Sequence, residues 1–393
     1  MKKIFALISL CLITFFTQGQ GSWTALTSCP GSARYRAVAF EINGKCYMGT
    51  GSTGSNNNLK DFWEYDVTMD TWSQKADLTG SKRINATATS ANGYGYVGLG
   101  VDGTTFMNDW WQYDPTGNSW VSKSSFPGIS RYGAGSFSIN SRIYAGGGLD
   151  SAGNPLSDFY AYDPVNDVWA QKAPLLTGVA AMSIFTINQK GYFVGGVINN
   201  FTTCVDLTAE YNPTNDTWTA KAVYPSGNIF SAIGFSLDGY GYAGTGYNGT
   251  LTDSMFRYNP VNDDWAVETN WPTGIRQWAV SCVSGNRAFV GTGNSTGGQL
   301  FADWREFNSI FTDVKNLNDH SDFNVQYNSI EKEIVVRNND RGRIKIYDMQ
   351  GKLIFDAQTN AISQNFPWNR TGVFVVEFVS GKKISTTKFA CNY

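Results

Sequence analysis

Tryptophan recurs through this chain at almost fixed intervals. Trp23, Trp72, Trp120, Trp169, Trp218 and Trp265 are separated by 49, 48, 49, 49 and 47 residues. Gly49, Gly98, Gly146, Gly195, Gly244 and Gly291 keep the same intervals, each 26 residues after its tryptophan. Tyr65, Tyr113, Tyr162, Tyr211 and Tyr258 each stand seven residues before the next tryptophan, in phrases such as YDPVNDVW (162–169) and YNPTNDTW (211–218). A period held this closely over six copies restricts the chain to folds that set one small unit beside its own copies.

Each copy reads as four short strands. In the third, strand a covers 132–140, b 142–148, c 158–163 and d 168–173, with Asn140-Ser141 and PVND as turns. Four antiparallel strands per unit predict a propeller blade, and residues 20–312 an all-β, six-bladed β-propeller. The first tryptophan precedes any a, b or c strand. The last a–b–c set, near 278–309, has Phe307 in place of the tyrosine and Val314 where a tryptophan is due. The N-terminal strand around Trp23 is therefore expected to complete the sixth blade and leave no sheet edge open. Removing residues 21–27 should then unfold more than a terminus. The tryptophans, tyrosines and glycines of the repeat read as architecture: rings packed between blades, worth about 2–3 kcal/mol each, and glycines where backbones converge.

Near-paired glycines ending strand b (YMGTGS, YAGGGL), tyrosine on strand c and tryptophan seven residues later resemble the kelch repeat over about residues 21–310. The resemblance implies a kelch-type propeller whose ligand entrance lies where the b–c and d–a loops emerge. Spacing points to the same face. With Trp-to-Gly and Tyr-to-Trp distances constant, length variation falls in the b–c loops, where Gly-to-Tyr intervals are 16, 15, 16, 16 and 14. Variation on one face of a regular scaffold marks a binding face. Eleven residues after four tryptophans stand Arg34, Arg83, Arg131 and Arg276, with Ala180 and Ile229 in the other two copies. With Tyr35, Tyr132 and Trp278 they are expected to ring part of the channel mouth, their planar forks suited to carboxylate or phosphate. A structural role stands beside that reading: Asp61, Asp109, Asp158 and Asp303 recur four residues before Tyr65, Tyr113, Tyr162 and Phe307 and are natural partners. The phrases NPTNDTW and DPTGNSW superficially resemble the sialidase Asp-box, but tyrosine replaces its serine and proline its aspartate.

Composition narrows the chemistry. His320 is the single histidine, so multi-histidine metal sites are excluded, and no metal or cofactor is expected. A net charge of −2 without a basic run argues against nucleic acid. The cysteines (11, 29, 46, 204, 282, 391) include no C-x-x-C pair; Cys29–Cys46 is one candidate disulfide beside a reading of scattered buried thiols. Residues 1–19, two lysines followed by an apolar run, read as a secretory signal peptide, and no other segment reads as a membrane span. After a polar linker at 313–325, residues 326–393 read as the short strands of a β-sandwich. Within it, IKIYDMQGKLIF and NRTGVFVVEFVSGKKISTTKF resemble the type A C-terminal sorting domain of Bacteroidetes type IX secretion. VQYNS stands where that family usually starts with a YPNP-like segment. The resemblance implies contact with that secretion machinery and a propeller secreted or held at the cell surface.

These readings converge on an exported, monomeric binding or adhesion module that recognises a glycan or protein on its b–c/d–a face. The alternative is a metal-independent sugar enzyme resembling the sialic-acid mutarotases among six-bladed bacterial kelch proteins. An acidic residue in the channel beside Arg34 or Arg276 favours the enzyme; a face without one favours binding.

Overall fold

The computed structural model describes residues 21–309 except 56 and 200–202, and in the tail 323–328, 333–338, 341–348, 351–359, 363–368, 370, 372–380 and 383–391. The expected signal peptide, His320 and most of the linker lie outside the described residues. The chain divides into two compact units, one being Gly21–Lys315 and the other carrying the C-terminal strands.

In the first unit, six four-stranded antiparallel sheets form the blades. Blade 1 runs Val38–Ile42, Lys45–Gly49, Phe62–Asp66, Thr71–Lys75 as strands a to d. Blade 3 runs Gly135–Ile139, Arg142–Gly146, Phe159–Asp163, Val168–Lys172. Strands a of successive blades touch in a closed cycle, the sixth returning to the first. In blade 6, strands Val280–Ser284, Arg287–Gly291 and Trp304–Asn308 are completed by Ser22–Leu26, with Trp23 opposite Phe307. The N-terminal strand thus closes the ring. Strand a buries alternate residues, Val38, Phe40 and Ile42 in blade 1. Its turn into strand b puts two residues at positive φ, Asn43 and Gly44, which suits the twist of a two-residue hairpin.

The YDPVNDVW phrase does more than join strands c and d. The Tyr162 hydroxyl donates to Asp167 Oδ1 (2.6 Å), which also accepts the Ser124 N–H (2.9 Å) at the end of blade 2. The indole of Trp169 donates to the Ser124 carbonyl (2.9 Å). One phrase therefore grips both polar groups of a single peptide residue in the preceding blade. Asp70 with Trp72 holds Thr27, Asn118 with Trp120 holds Ala76, and Asp263 with Trp265 holds Ala222 in the same way. Each repeat tryptophan except Trp23, which has Phe307 in place of the tyrosine, also packs between its own tyrosine and a ring of the preceding blade, as Trp120 does between Tyr113 (4.9 Å) and Phe62 (4.8 Å).

Where the chain enters strand a, two rings of backbone hydrogen bonds encircle the axis. In the inner ring the N–H of Arg36 donates to Trp278, Asn85 to Arg36, Gly133 to Asn85, Ala181 to Gly133, Ser231 to Ala181 and Trp278 to Ser231. All six residues have positive φ, between 51° and 69°. In the outer ring the N–H of Gly51, Gly100, Gly148, Gly196, Gly246 and Gly293 donates to Arg83, Arg131, Val179, Ile229, Arg276 and Arg34 of the next blade. These glycines also have positive φ, and a Cβ at Gly148 would lie 2.9 Å from the Tyr132 carbonyl oxygen. The second glycine of each pair is therefore constrained by its φ as well as by space, while a first glycine such as Gly49 is constrained by space alone, a Cβ there lying 2.5 Å from the Asp61 carbonyl oxygen.

The fourth blade corrects the register read from sequence. Its strand b ends at Val194, so Gly195 lies one position beyond the place of Gly49, Gly98 and Gly146. Val179, and not Ala180, stands where the other blades carry arginine or isoleucine. The connection after Trp169 is one residue short, and the constant 26-residue count hid it; length variation is not confined to the b–c loops. Strand a of blade 3 also starts later than expected, because Tyr132 forms an isolated bridge to Leu149 and Gly133 enters the inner ring.

Cys46 of blade 1 and Cys282 of blade 6 form a disulfide across the closing seam, 236 residues apart in sequence. Cys29, considered above as a partner of Cys46, is a buried free thiol. In the second unit, a three-stranded and a four-stranded sheet contribute to one core that includes Ile334, Val336, Ile344, Ile346, Phe366 and Trp368, the expected sandwich.

Candidate functional site

The expected arginine ring is not at the channel mouth. Arg34, Arg83, Arg131 and Arg276 have fully buried side chains, each in a bidentate pair with its recurrent aspartate. Arg83 reaches Asp109 at 2.6 and 2.8 Å, and its Nη1 also meets the Leu99 carbonyl at 3.0 Å. The same three-way contact recurs on Thr50, Gly147 and Thr292. These forks fasten strand b's end to strand c's start within a blade; the Nε of Arg34, Arg83 and Arg131 donates to the carbonyl two residues before it, while the Nε of Arg276 has no partner. The aspartates take the structural role weighed above.

The axial face is formed two residues further on. A cavity of about 140 Å³ is lined by the inner-ring residues Arg36, Asn85, Gly133, Ala181, Ser231 and Trp278 and by the residue after each. Going round the ring, Trp278, Arg36 and Asn85 are consecutive, while the other half is Ser231, Ala181 and Gly133. One arc carries a large ring, a cation and an amide; the opposite arc leaves room.

The Arg36 guanidinium lies 5.1 Å from the Tyr35 ring and 4.9 Å from that of Trp278. Among the described residues it makes no ion pair, and its buried Nε has no hydrogen-bond partner. Burial lowers its pKa, while the Tyr35 and Tyr132 phenols nearby act the other way. Aromatic faces attract a cation but leave its charge uncompensated. Asn85 is 5% exposed, and neither its Oδ1 nor its Nδ2 has a partner. An unsatisfied buried amide costs about 1–3 kcal/mol. Arg36 and Trp278 also hold positive φ, a conformation that is costly for large side chains and is kept where they serve a purpose.

Of the residues expected at the mouth, Trp278 lines the cavity and Tyr35 flanks Arg36. Tyr132 packs with Phe106 of the blade 2 b–c loop (5.5 Å), and Phe230 lies between Tyr247 (5.4 Å) and Trp278 (6.2 Å). Sequence reading missed Arg36 and Asn85. Their signal was present: thirteen residues after five of the tryptophans, and twelve after Trp169, residue type varies freely within an otherwise repeating frame. None of the residues lining the cavity carries a carboxylate. Among the described residues no group of three or more His, Cys, Asp or Glu is placed to hold a metal, and no helix is long and apolar enough to cross a membrane.

The fold is that of a six-bladed kelch-type β-propeller, with this cavity on its axial face. The family model described as the KLHDC2/KLHL20/DRC7 Kelch-repeats domain matches residues 10–196. Among solved structures, that of YjhT superposes with a TM-score of 0.63 at 18% identity, covering 72% of this chain and 96% of YjhT; at that identity the likeness speaks for the fold. None of the curated proteins matches the sequence.

Proposed function

We propose that the protein is an exported binding module whose axial cavity takes a carboxylate-bearing sugar at the end of a glycan. The observation that carries this reading is the Arg36 guanidinium, facing the cavity with no carboxylate partner, between Tyr35 and Trp278 and beside the unpartnered Asn85 amide. A carboxylate supplies the missing counter-charge, Trp278 offers a face for a pyranose ring, and Asn85 offers both a donor and an acceptor. The Cys46–Cys282 disulfide supports export, because such bonds persist in oxidising compartments. The signal peptide expected at residues 1–19 and the sorting-domain resemblance of the tail agree with that route to the cell surface.

Titration calorimetry with N-acetylneuraminic acid and glucuronic acid tests the reading. Binding is expected for the parent, with a loss of roughly 10- to 100-fold in Arg36→Met, the effect of removing hydrogen bonds to a charged group. Equal binding by Arg36→Met would remove the cavity from consideration. The mutarotase alternative needs a group to move a proton, and the cavity lining offers no carboxylate for it. Proton NMR of N-acetylneuraminic acid anomers separates the two: exchange no faster with protein than without is expected for a binding module.

A further inference from the structure

We infer that the Cys46–Cys282 disulfide positions the ligand site, so that binding at the Trp278–Arg36–Asn85 arc depends on the oxidised state of the chain. The inference rests on the reading that this arc holds the ligand. The propeller has one joint without a peptide link, inside blade 6, where Ser22–Leu26 is held to Trp304–Asn308 by hydrogen bonds and the packing of Trp23 on Phe307, with no covalent link. If that joint slips, Ser22–Leu26 stays with blade 1, to which the chain continues directly, while strands a to c of blade 6 stay with blade 5. The gap then opens between blades 6 and 1. Trp278 lies on one side of it and Arg36 on the other.

The disulfide crosses this gap. Cys282 is four residues beyond Trp278 on the same strand entry, and Cys46 pairs with Glu41 in the strand that Arg36 leads into. With the bond formed, the chain from Cys46 to Cys282 is a covalent belt through all six blades. The contacts it guards are long ones: the Arg36 N–H to Trp278 carbonyl bond, at 3.3 Å, is the longest of the inner ring, and the guanidinium–indole contact is 4.9 Å. A dithiol that transfers two electrons and two protons to the bond leaves two thiols and departs as its own cyclic disulfide. The seam is then held by packing and hydrogen bonds, and half of the ligand arc is free to drift from the other half. In a reducing compartment the site stays incomplete; in an oxidising one it is fixed.

The test compares the oxidised parent with the double variant Cys46→Ala/Cys282→Ala, and with parent treated with dithiothreitol in case the variant does not fold. Two readouts are taken: affinity for N-acetylneuraminic acid, and hydrogen exchange of the inner-ring amides. At least a tenfold loss of affinity is expected while a cooperative melt is kept. The amides of Arg36 and Trp278 should exchange at least tenfold faster, and those of Gly133 and Ala181, across the ring, at the parent rate. Unchanged affinity, or an equal acceleration all round the ring, overturns the inference. If the oxidised parent binds neither acidic sugar, the ligand reading falls by itself. The exchange pattern then decides whether the bond orders this side of the ring: local loosening upholds that, and its absence overturns it.

Discussion

Arg34 and Arg36 are two positions apart and do opposite things. In an extended strand such residues point the same way. Here Arg36 has φ 57°, which breaks the alternation: Arg34 stays within its blade and Arg36 turns to the axis. Arg83→Met, which takes the partner from part-exposed Asp109 and the donor from the Leu99 carbonyl, is expected to destabilise the propeller by about 1–3 kcal/mol in urea denaturation. Arg36→Met, which removes an uncompensated cation, should leave the melting temperature nearly unchanged. Gly148→Ala places a methyl group against the Tyr132 carbonyl at a positive φ and should cost about 1–3 kcal/mol in the same assay. The arginine periodicity was legible because type and spacing repeat. The direction of each fork was not, because it depends on a backbone reversal that Arg36 and Trp278, unlike glycine, do not announce.

Between strands, the eight-residue phrase is the unit that matters. Its length was readable as a c–d hairpin. Its grip on the preceding blade was not, since the held Ser124 lies 43 to 45 positions away and is taken by its main-chain N–H and carbonyl, which no residue type announces. Asp167→Ala removes the acceptor shared by Tyr162 and Ser124 and should cost about 1–3 kcal/mol in thermal or chemical unfolding. The clasp also sets an acid response. Burial alone would raise the pKa values of Asp70, Asp167 and Asp263, but hydrogen bonds from their tyrosines and from backbone N–H groups outweigh it and hold all three below the usual carboxylate range. Folded values below unfolded ones mean stability that is fully present above the unfolded carboxylate pKa, about 4, and is lost as pH falls through the folded values. Melting temperature should therefore hold from neutral pH to about 5 and then fall, and Asp167→Asn should flatten part of that fall.

At the level of the whole ring, the blade count and the closing strand could be read from a period that begins and ends out of phase. The disulfide could not: Cys46 and Cys282 are neighbours only once the circle is complete, and the sequence offered Cys29–Cys46 as one candidate beside scattered buried thiols. Closure is therefore made twice, by the strand in blade 6 and by the covalent belt. A chain lacking residues 21–27 is expected to keep a cooperative but lower melting transition while oxidised, and to lose it when dithiothreitol is added. Circular dichroism followed against temperature in both conditions checks this.

The two axial rings are made of main-chain atoms alone, and this separates what holds the circle shut from what the face displays. Any residue that tolerates the left-handed backbone at positions 36, 85, 133, 181, 231 and 278 leaves the same twelve hydrogen bonds intact. Six codons thus write what the axial face displays, three of them spelling small residues and leaving blanks. Installing asparagine at Gly133 or Ala181 is a way to rewrite the message without touching the page.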